Sequence, residues 1–176
     1  MATFETERLS LRPWQEKDAE ILFKYASDPE IGPLCGWQPH KSVEESLFAI
    51  TNFLNGKECY AVCLKGSDEP IGSCELKLNG HSNLFDSDDE SEIGYWLGRP
   101  FWGKGYMTEI VKALEERAFT TRQMKQIWCC YHDGNERSKR VQEKCGFVYQ
   151  RSTHELNSNI LIHVNLLTKE DWEKSK

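Results

Sequence analysis

Hydrophobic and polar positions follow two alternating rhythms along this chain. Thr6 to Leu11 predicts a short strand. Glu16 to Ser27 predicts a helix stopped by Asp28-Pro29, and Ser42 to Asn55 a second one stopped by Gly56, with Ser42 and Glu45 spaced as a capping box. Strand-like runs follow at Glu58 to Leu64, Ile71 to Asn79 and Glu92 to Leu97. Beyond a glycine-rich segment, Met107, Ile110, Val111, Leu114 and Ala118 fall at i, i+3, i+4, i+7 and i+11, painting one apolar face on a helix that reaches about Arg122. Gln126 to Tyr131 reads as a strand and Glu136 to Cys145 as a helix ended by Gly146. Phe147 to Glu155 and Ile160 to Thr168 close the chain as strands. The order βααβββαβαββ implies an α+β fold with a mixed sheet. A right-handed crossover makes the strands at Glu92 to Leu97 and Gln126 to Tyr131 parallel, and helices must cover both faces.

The one compositional break, residues 80 to 91, is polar, acidic and turn-rich, and reads as a loop inside one domain spanning 1–176. Its acids Asp86, Asp88, Asp89 and Glu90 lack the glycine and the acid placement of a calcium loop, so a solvated loop is expected and no metal site. With 6 Trp, 6 Tyr and 8 Phe against 6 Pro and 12 Gly, disordered and low-complexity classes are excluded. Seven cysteines without a C-x-x-C pair read as small buried hydrophobes, not as disulfides or zinc ligands. The absence of a long apolar run, and of an apolar segment behind a basic start in MATFETERLSLRPW, leads to the expectation of a cytoplasmic protein without membrane association. A net charge of -6 argues against nucleic acid as a partner. The charge is uneven: residues 1 to 98 hold 18 acids and 8 Lys or Arg, whereas residues 99 to 176 hold 10 acids and 14 Lys or Arg.

The basic half opens with the densest chemical signal, Gly98-Arg99-Pro100-Phe101-Trp102-Gly103-Lys104-Gly105-Tyr106-Met107-Thr108-Glu109, where a strand hands over to an amphipathic helix. Backbone N–H groups there can face an anion that the helix dipole favours, and glycines let a phosphate approach the main chain. An ordinary tight turn is the competing reading. A Walker A loop fails because Lys104 is followed by Gly105, and a dinucleotide fingerprint fails because Thr108 stands where its third glycine belongs.

That segment resembles the GNAT superfamily of acyl-CoA-dependent N-acyltransferases, together with Glu92-Ile93-Gly94-Tyr95-Trp96-Leu97 before it and Asn135-Glu136-Arg137-Ser138 to Lys144-Cys145-Gly146-Phe147 after it. The opening Thr6-Glu7-Arg8-Leu9-Ser10-Leu11-Arg12-Pro13, the Gly36-Trp37-Gln38-Pro39-His40 stretch and Leu167-Thr168-Lys169-Glu170-Asp171-Trp172 resemble its RimJ/RimL-like branch, which acetylates ribosomal-protein N-termini. The resemblance covers nearly the whole chain. It implies a splayed, mostly antiparallel sheet with acetyl-CoA entering between the strands at 92–97 and 126–131. By the family pattern the amides of Trp102, Gly103, Lys104, Gly105, Tyr106 and Met107 hold the pyrophosphate, Tyr95, Trp96 and Leu97 pair with the pantetheine arm, Asn135 binds that arm, and Ser138 assists the leaving thiolate. Asn135 also suits a plain helix cap.

Two departures stand out: Pro100 replaces the Gln or Arg of many members and lacks an N–H, and Gln142 replaces a Tyr acid. Glu92 is the first choice for a base that assists deprotonation of the amine, with Glu155 and His154 second. Glu75, in phase with Ser73 and Lys77, reads as an exposed face, and His163 as a satisfied core histidine. Trp37 and His40 are candidates for the acceptor wall. The expected reaction is direct attack of a primary amine on acetyl-CoA in a ternary complex. The acceptor is a protein N-terminus, a polyamine or another small amine, and a homodimer is compatible with the chain. The alternative is an acyl-CoA-binding regulatory module without turnover.

Overall fold

The computed structural model describes residues 3–176. Its elements are β1 Phe4–Glu5, β2 Leu9–Arg12, α1 Ala19–Ala26, α2 Val43–Asn52, β3 Cys59–Leu64, β4 Pro70–Lys77, β5 Glu90–Leu97, α3 Tyr106–Glu116, β6 Gln126–His132, α4 Glu136–Lys144, β7 Val148–His154, β8 Leu161–Thr168 and α5 Lys169–Lys174. Eight strands form one sheet in the order β1-β2-β3-β4-β5-β6-β8-β7. It is mixed, flanked by helices and mostly antiparallel, and its one parallel pair joins Glu90–Glu92 to Gln126–Trp128 as the crossover argument requires. No helix among the described residues is long and apolar enough to cross a membrane.

Several expected boundaries move. The strand placed at Thr6 to Leu11 is a small hairpin, with Phe4 opposite Leu11, because Thr6 closes the turn by donating its amide to the Leu9 carbonyl. The acidic loop ends at Asp89, since Glu90 and Ser91 already pair with β6. Ser73 is buried, not exposed: its Oγ accepts from the Trp14 indole and donates to the Tyr60 carbonyl. α5 lies beyond the expected elements; Thr168 caps it, and Trp172 packs 5.0 Å from Phe119. Helix α3 continues into a π-helical turn, Arg117–Thr121.

Two compact units divide the chain, one running to Glu75 and including Tyr95–Ile110, the other made of Leu76–Gly94 and Val111–Lys176. In the first, Trp14, Leu22, Ala26, Ile50 and Ala61 form a buried cluster against which Trp37 and Trp96 pack. The buried Arg12 guanidinium donates two bonds of 2.7 and 2.9 Å to Asp18 and a third of 2.6 Å to Asp68. Such a fork tolerates burial because every charge is paired, and removing the buried partner, Asp18, costs about 3–5 kcal/mol. In the second unit the buried apolar residues include Ile93, Leu114, Phe119, Ile127 and Val164.

Candidate active site

In the first unit β5 runs out at Leu97, and Trp102 returns its indole Nε1 to the Leu97 carbonyl at 2.7 Å. Close approach is built in here: a Cβ on Gly72 would lie 2.3 Å from the Trp96 carbonyl oxygen. Gly103 and Gly105 both adopt left-handed φ, +73° and +79°, so the main chain reverses twice around Lys104 before α3 begins. Residues with a Cβ resist this conformation. A Cβ on Gly103 would meet nothing within 4 Å, so the turn faces open space over its exposed backbone. The first amides of α3 lack a carbonyl one turn earlier, which makes this a place where an anion can be received. Met107 is itself buried, so only its amide can serve such a group.

A clamp that pattern reading missed braces the turn. Arg8 donates its Nε to Glu109 at 2.7 Å, its amide to the same carboxylate at 2.8 Å and its Nη1 to the Lys104 carbonyl at 3.0 Å. Thr6 adds its hydroxyl to Glu109, and the Arg8 guanidinium lies over the Tyr106 ring. Partial burial pushes the Glu109 carboxyl up, but these hydrogen bonds outweigh it and hold it below the usual range. Arg8 and Glu109 are about a hundred residues apart in sequence, so no local spacing betrays the pair.

Trp37 and His40 stand together, rings 5.4 Å apart, and Trp37 packs edge-on against Trp96 at 6.0 Å. His40 is held by Ser46 at 2.8 Å, and burial lowers its pKa against the opposing pull of Glu45. Ser42 caps α2 as expected, although the Glu45 carboxylate accepts from the Lys41 amide rather than that of Ser42.

In the second unit Glu92 is buried on β5. It accepts from Lys77 Nζ at 3.0 Å and Ser82 Oγ at 2.6 Å. The Cys130 thiol lies 3.9 Å away, and burial first, then the Glu92 charge, pushes it up to about 12. A thiol so raised is a poor nucleophile at neutral pH. His132, the last residue of β6, and Glu155, just past β7, meet at 3.7 Å, while His154 is exposed.

Asn135 caps α4, its Oδ1 accepting from the Ser138 amide at 3.2 Å. Gln142 is fully buried. Its Nε2 donates to the Cys130 carbonyl at 3.1 Å and to Ser138 Oγ at 3.2 Å, while its Oε1 accepts from Asn165 at 2.6 Å. The residue standing where a Tyr acid was expected therefore orients Ser138 instead.

The model of the acetyltransferase (GNAT) domain family matches residues 8–148. This chain belongs to the GNAT acetyltransferase family. The uncharacterised N-acetyltransferase p20 of Bacillus licheniformis is 35% identical over 133 residues, 72% of this chain and 71% of that protein. YdaF of Bacillus subtilis, provisionally named a ribosomal N-acetyltransferase, is 32% identical over 99 residues, 53% of this chain and 54% of its own. Among solved structures, the aminoglycoside acetyltransferase AAC(6')-Ib with ribostamycin and coenzyme A shares the fold, with TM-score 0.80 and 21% identity over 97% of this chain and 98% of that one. The GNAT assignment covers both segments described above, the glycine turn and the α4 start.

Proposed function

We propose that this chain transfers acetyl from acetyl-CoA to a primary amine, a protein N-terminus first among acceptors, by direct attack in a ternary complex. The observation that carries the reading is the Gly103-Lys104-Gly105 turn, whose two left-handed glycines and open backbone at a helix start suit a pyrophosphate. Coenzyme A supplies the acetyl group as a thioester, whose carbonyl carbon the amine attacks. The Trp102 amide is spent on the Arg99 carbonyl at 3.1 Å, so the amides from Gly103 to Met107 hold the phosphates with Lys104, and the main chain of Tyr95, Trp96 and Leu97 aligns the pantetheine arm. Asn135 uses its Oδ1 as the α4 cap and its Nδ2 as a donor to that arm. A backbone N–H of β5 steadies the oxyanion as the amine adds. Ser138, held by Gln142, supports the departing thiolate. Glu92 Oε1 accepts from both Lys77 and the Cys130 thiol, whereas Oε2 keeps a lone pair beyond the one used by Ser82, and through water it takes a proton from the ammonium.

The partial likeness to YdaF and the branch resemblance favour N-terminal peptides over small amines such as polyamines or aminoglycosides. Trp37 and His40, beside Trp96, form the acceptor wall in this reading. The test is release of coenzyme A thiol on adding a panel of N-terminal peptides and small amines. Acceptor-dependent release that falls in Glu92→Gln and Ser138→Ala supports the assignment. Saturable binding of acetyl-CoA without any acceptor-dependent release would make the chain a regulatory module instead.

A further inference from the structure

At the far edge of the sheet, within the second unit, a line of hydrogen bonds joins four side chains that the transfer reaction does not use. Asp133, just past β6, lies 2.9 Å from His163 Nε2 on β8. Ser152 Oγ on β7 lies 2.8 Å from His163 Nδ1, and the Tyr149 hydroxyl lies 2.9 Å from Ser152 Oγ. The backbone explains the convergence. Ser152 and His163 are direct partners in the β7–β8 register, and Tyr131 pairs with His163 from the other side with its ring 4.9 Å away. Tyr149 and Ser152, three apart, belong on opposite faces of a regular strand. A bulge between Tyr149 and Arg151 inserts one residue, so Tyr149 pairs with Asn165 and falls on the face of His163. Expected to be a core histidine, His163 instead keeps a fifth of its side chain in solvent, beside an exposed Ser152 and Tyr149.

The hydrogen bonds have one consistent direction. The Asp133 carboxylate can only accept, so Nε2 carries the proton and Nδ1 presents its lone pair to the Ser152 hydroxyl. Tyr149 then donates to Ser152 Oγ. These are the roles of nucleophile, base and orienting acid, with the two ring nitrogens interchanged relative to the usual serine hydrolase order.

We propose that Ser152, His163 and Asp133 form a second catalytic site that takes small activated acyl esters. Ser152 Oγ attacks the ester carbon while its proton passes to His163 Nδ1. The imidazolium is stabilised by Asp133, and the Tyr149 hydroxyl donates to the oxyanion. The C–O bond to the leaving alcohol breaks and that oxygen takes the proton from His163. Water, deprotonated by His163, then cleaves the acyl-Ser152 ester, releases the acid and restores the serine.

The test uses the whole chain with a fluorophosphonate probe, which forms a Ser–phosphorus bond with loss of fluoride, and with p-nitrophenyl acetate. The expected result is a covalent adduct mapped to Ser152, absent in Ser152→Ala. Its rate should fall about a hundredfold or more in His163→Gln, the low side of what a general base contributes. p-Nitrophenyl acetate hydrolysis should fall likewise, and circular dichroism should report folded variants throughout. An adduct elsewhere, no adduct, or an unchanged rate in a folded His163→Gln overturns the proposal. Amine-dependent thiol release from acetyl-CoA, measured in the same preparations, should be unchanged in Ser152→Ala, so the two activities stand or fall separately.

Discussion

Gly103 gives a way to separate the conformational role of the glycine turn from its role in binding. Replacing Gly103 by Ala places a Cβ on a residue at φ +73°, with nothing within 4 Å to obstruct it. An L-residue in this region costs about 1–2 kcal/mol, and about 0.4–1 kcal/mol is recovered because alanine restricts the unfolded chain. A net loss of about 1 kcal/mol is expected, read from the urea midpoint. Gly66 supplies the control. It sits at φ +82°, also with nothing within 4 Å, in the turn between β3 and β4, so Gly66→Ala carries the same strain. In the proposed site only the methyl added at Gly103, and not that at Gly66, stands where a phosphate would reach the amides. Loss of one hydrogen bond to a charged group is worth about 1.5–3 kcal/mol, which raises the Kd for coenzyme A roughly 10- to 150-fold. Calorimetric titration with coenzyme A measures it in wild type and both variants. Equal destabilisation with equal, undiminished affinity would refute the phosphate-binding assignment of the turn.

Two further outcomes follow from the carboxylates of α3. Glu115 is buried, its Oε1 has no hydrogen-bond partner among the described residues, and burial, against the pull of Lys112 and Cys145, pushes its pKa to about 8. The folded state then holds a proton that the unfolded chain releases at 4.5, so stability is greatest below that pH and declines as pH rises toward 8. Glu115→Gln should flatten the decline in thermal melts taken from pH 5 to 9, and a wild-type curve that is already flat would contradict the burial argument. Glu109 has the opposite sign: its folded pKa lies below 4.5, so its contribution is present above that value and lost as pH falls through the lower one. Glu109→Gln should weaken acid sensitivity of the melts and also raise the Kd for coenzyme A by releasing Arg8 from the turn. An unaltered Kd would show that the clamp serves stability alone.

Local chemistry made part of this legible in advance. The handover from β5 to α3 could be read because glycines end one period and Met107, Ile110, Val111, Leu114 and Ala118 begin another within a few residues. The cap at Asn135 and the turn to Ser138 were legible for the same reason, since a helix start is completed by residues three apart. Long-range pairs were not. Nothing in the spacing links Glu92 to Lys77 and Ser82, Arg8 to Glu109, or Gln142 to Asn165. Ser73 looked exposed by alternation, yet Trp14 brings it a buried donor from another strand's end.

Taken alone, the order of residues determined the elements from α1 to β8, the parallel step between β5 and β6, the glycine turn and its family, because periodicity, turn chemistry and handedness act over short stretches of chain. Tertiary structure decided what each polar group meets. Strand register, shifted by one residue at the β7 bulge, set Tyr149 beside Ser152 and Ser152 beside His163, and burial set which carboxylates and thiols hold their protons. Register and desolvation depend on partners distant in sequence, so they are properties of the folded chain and not of any segment of it.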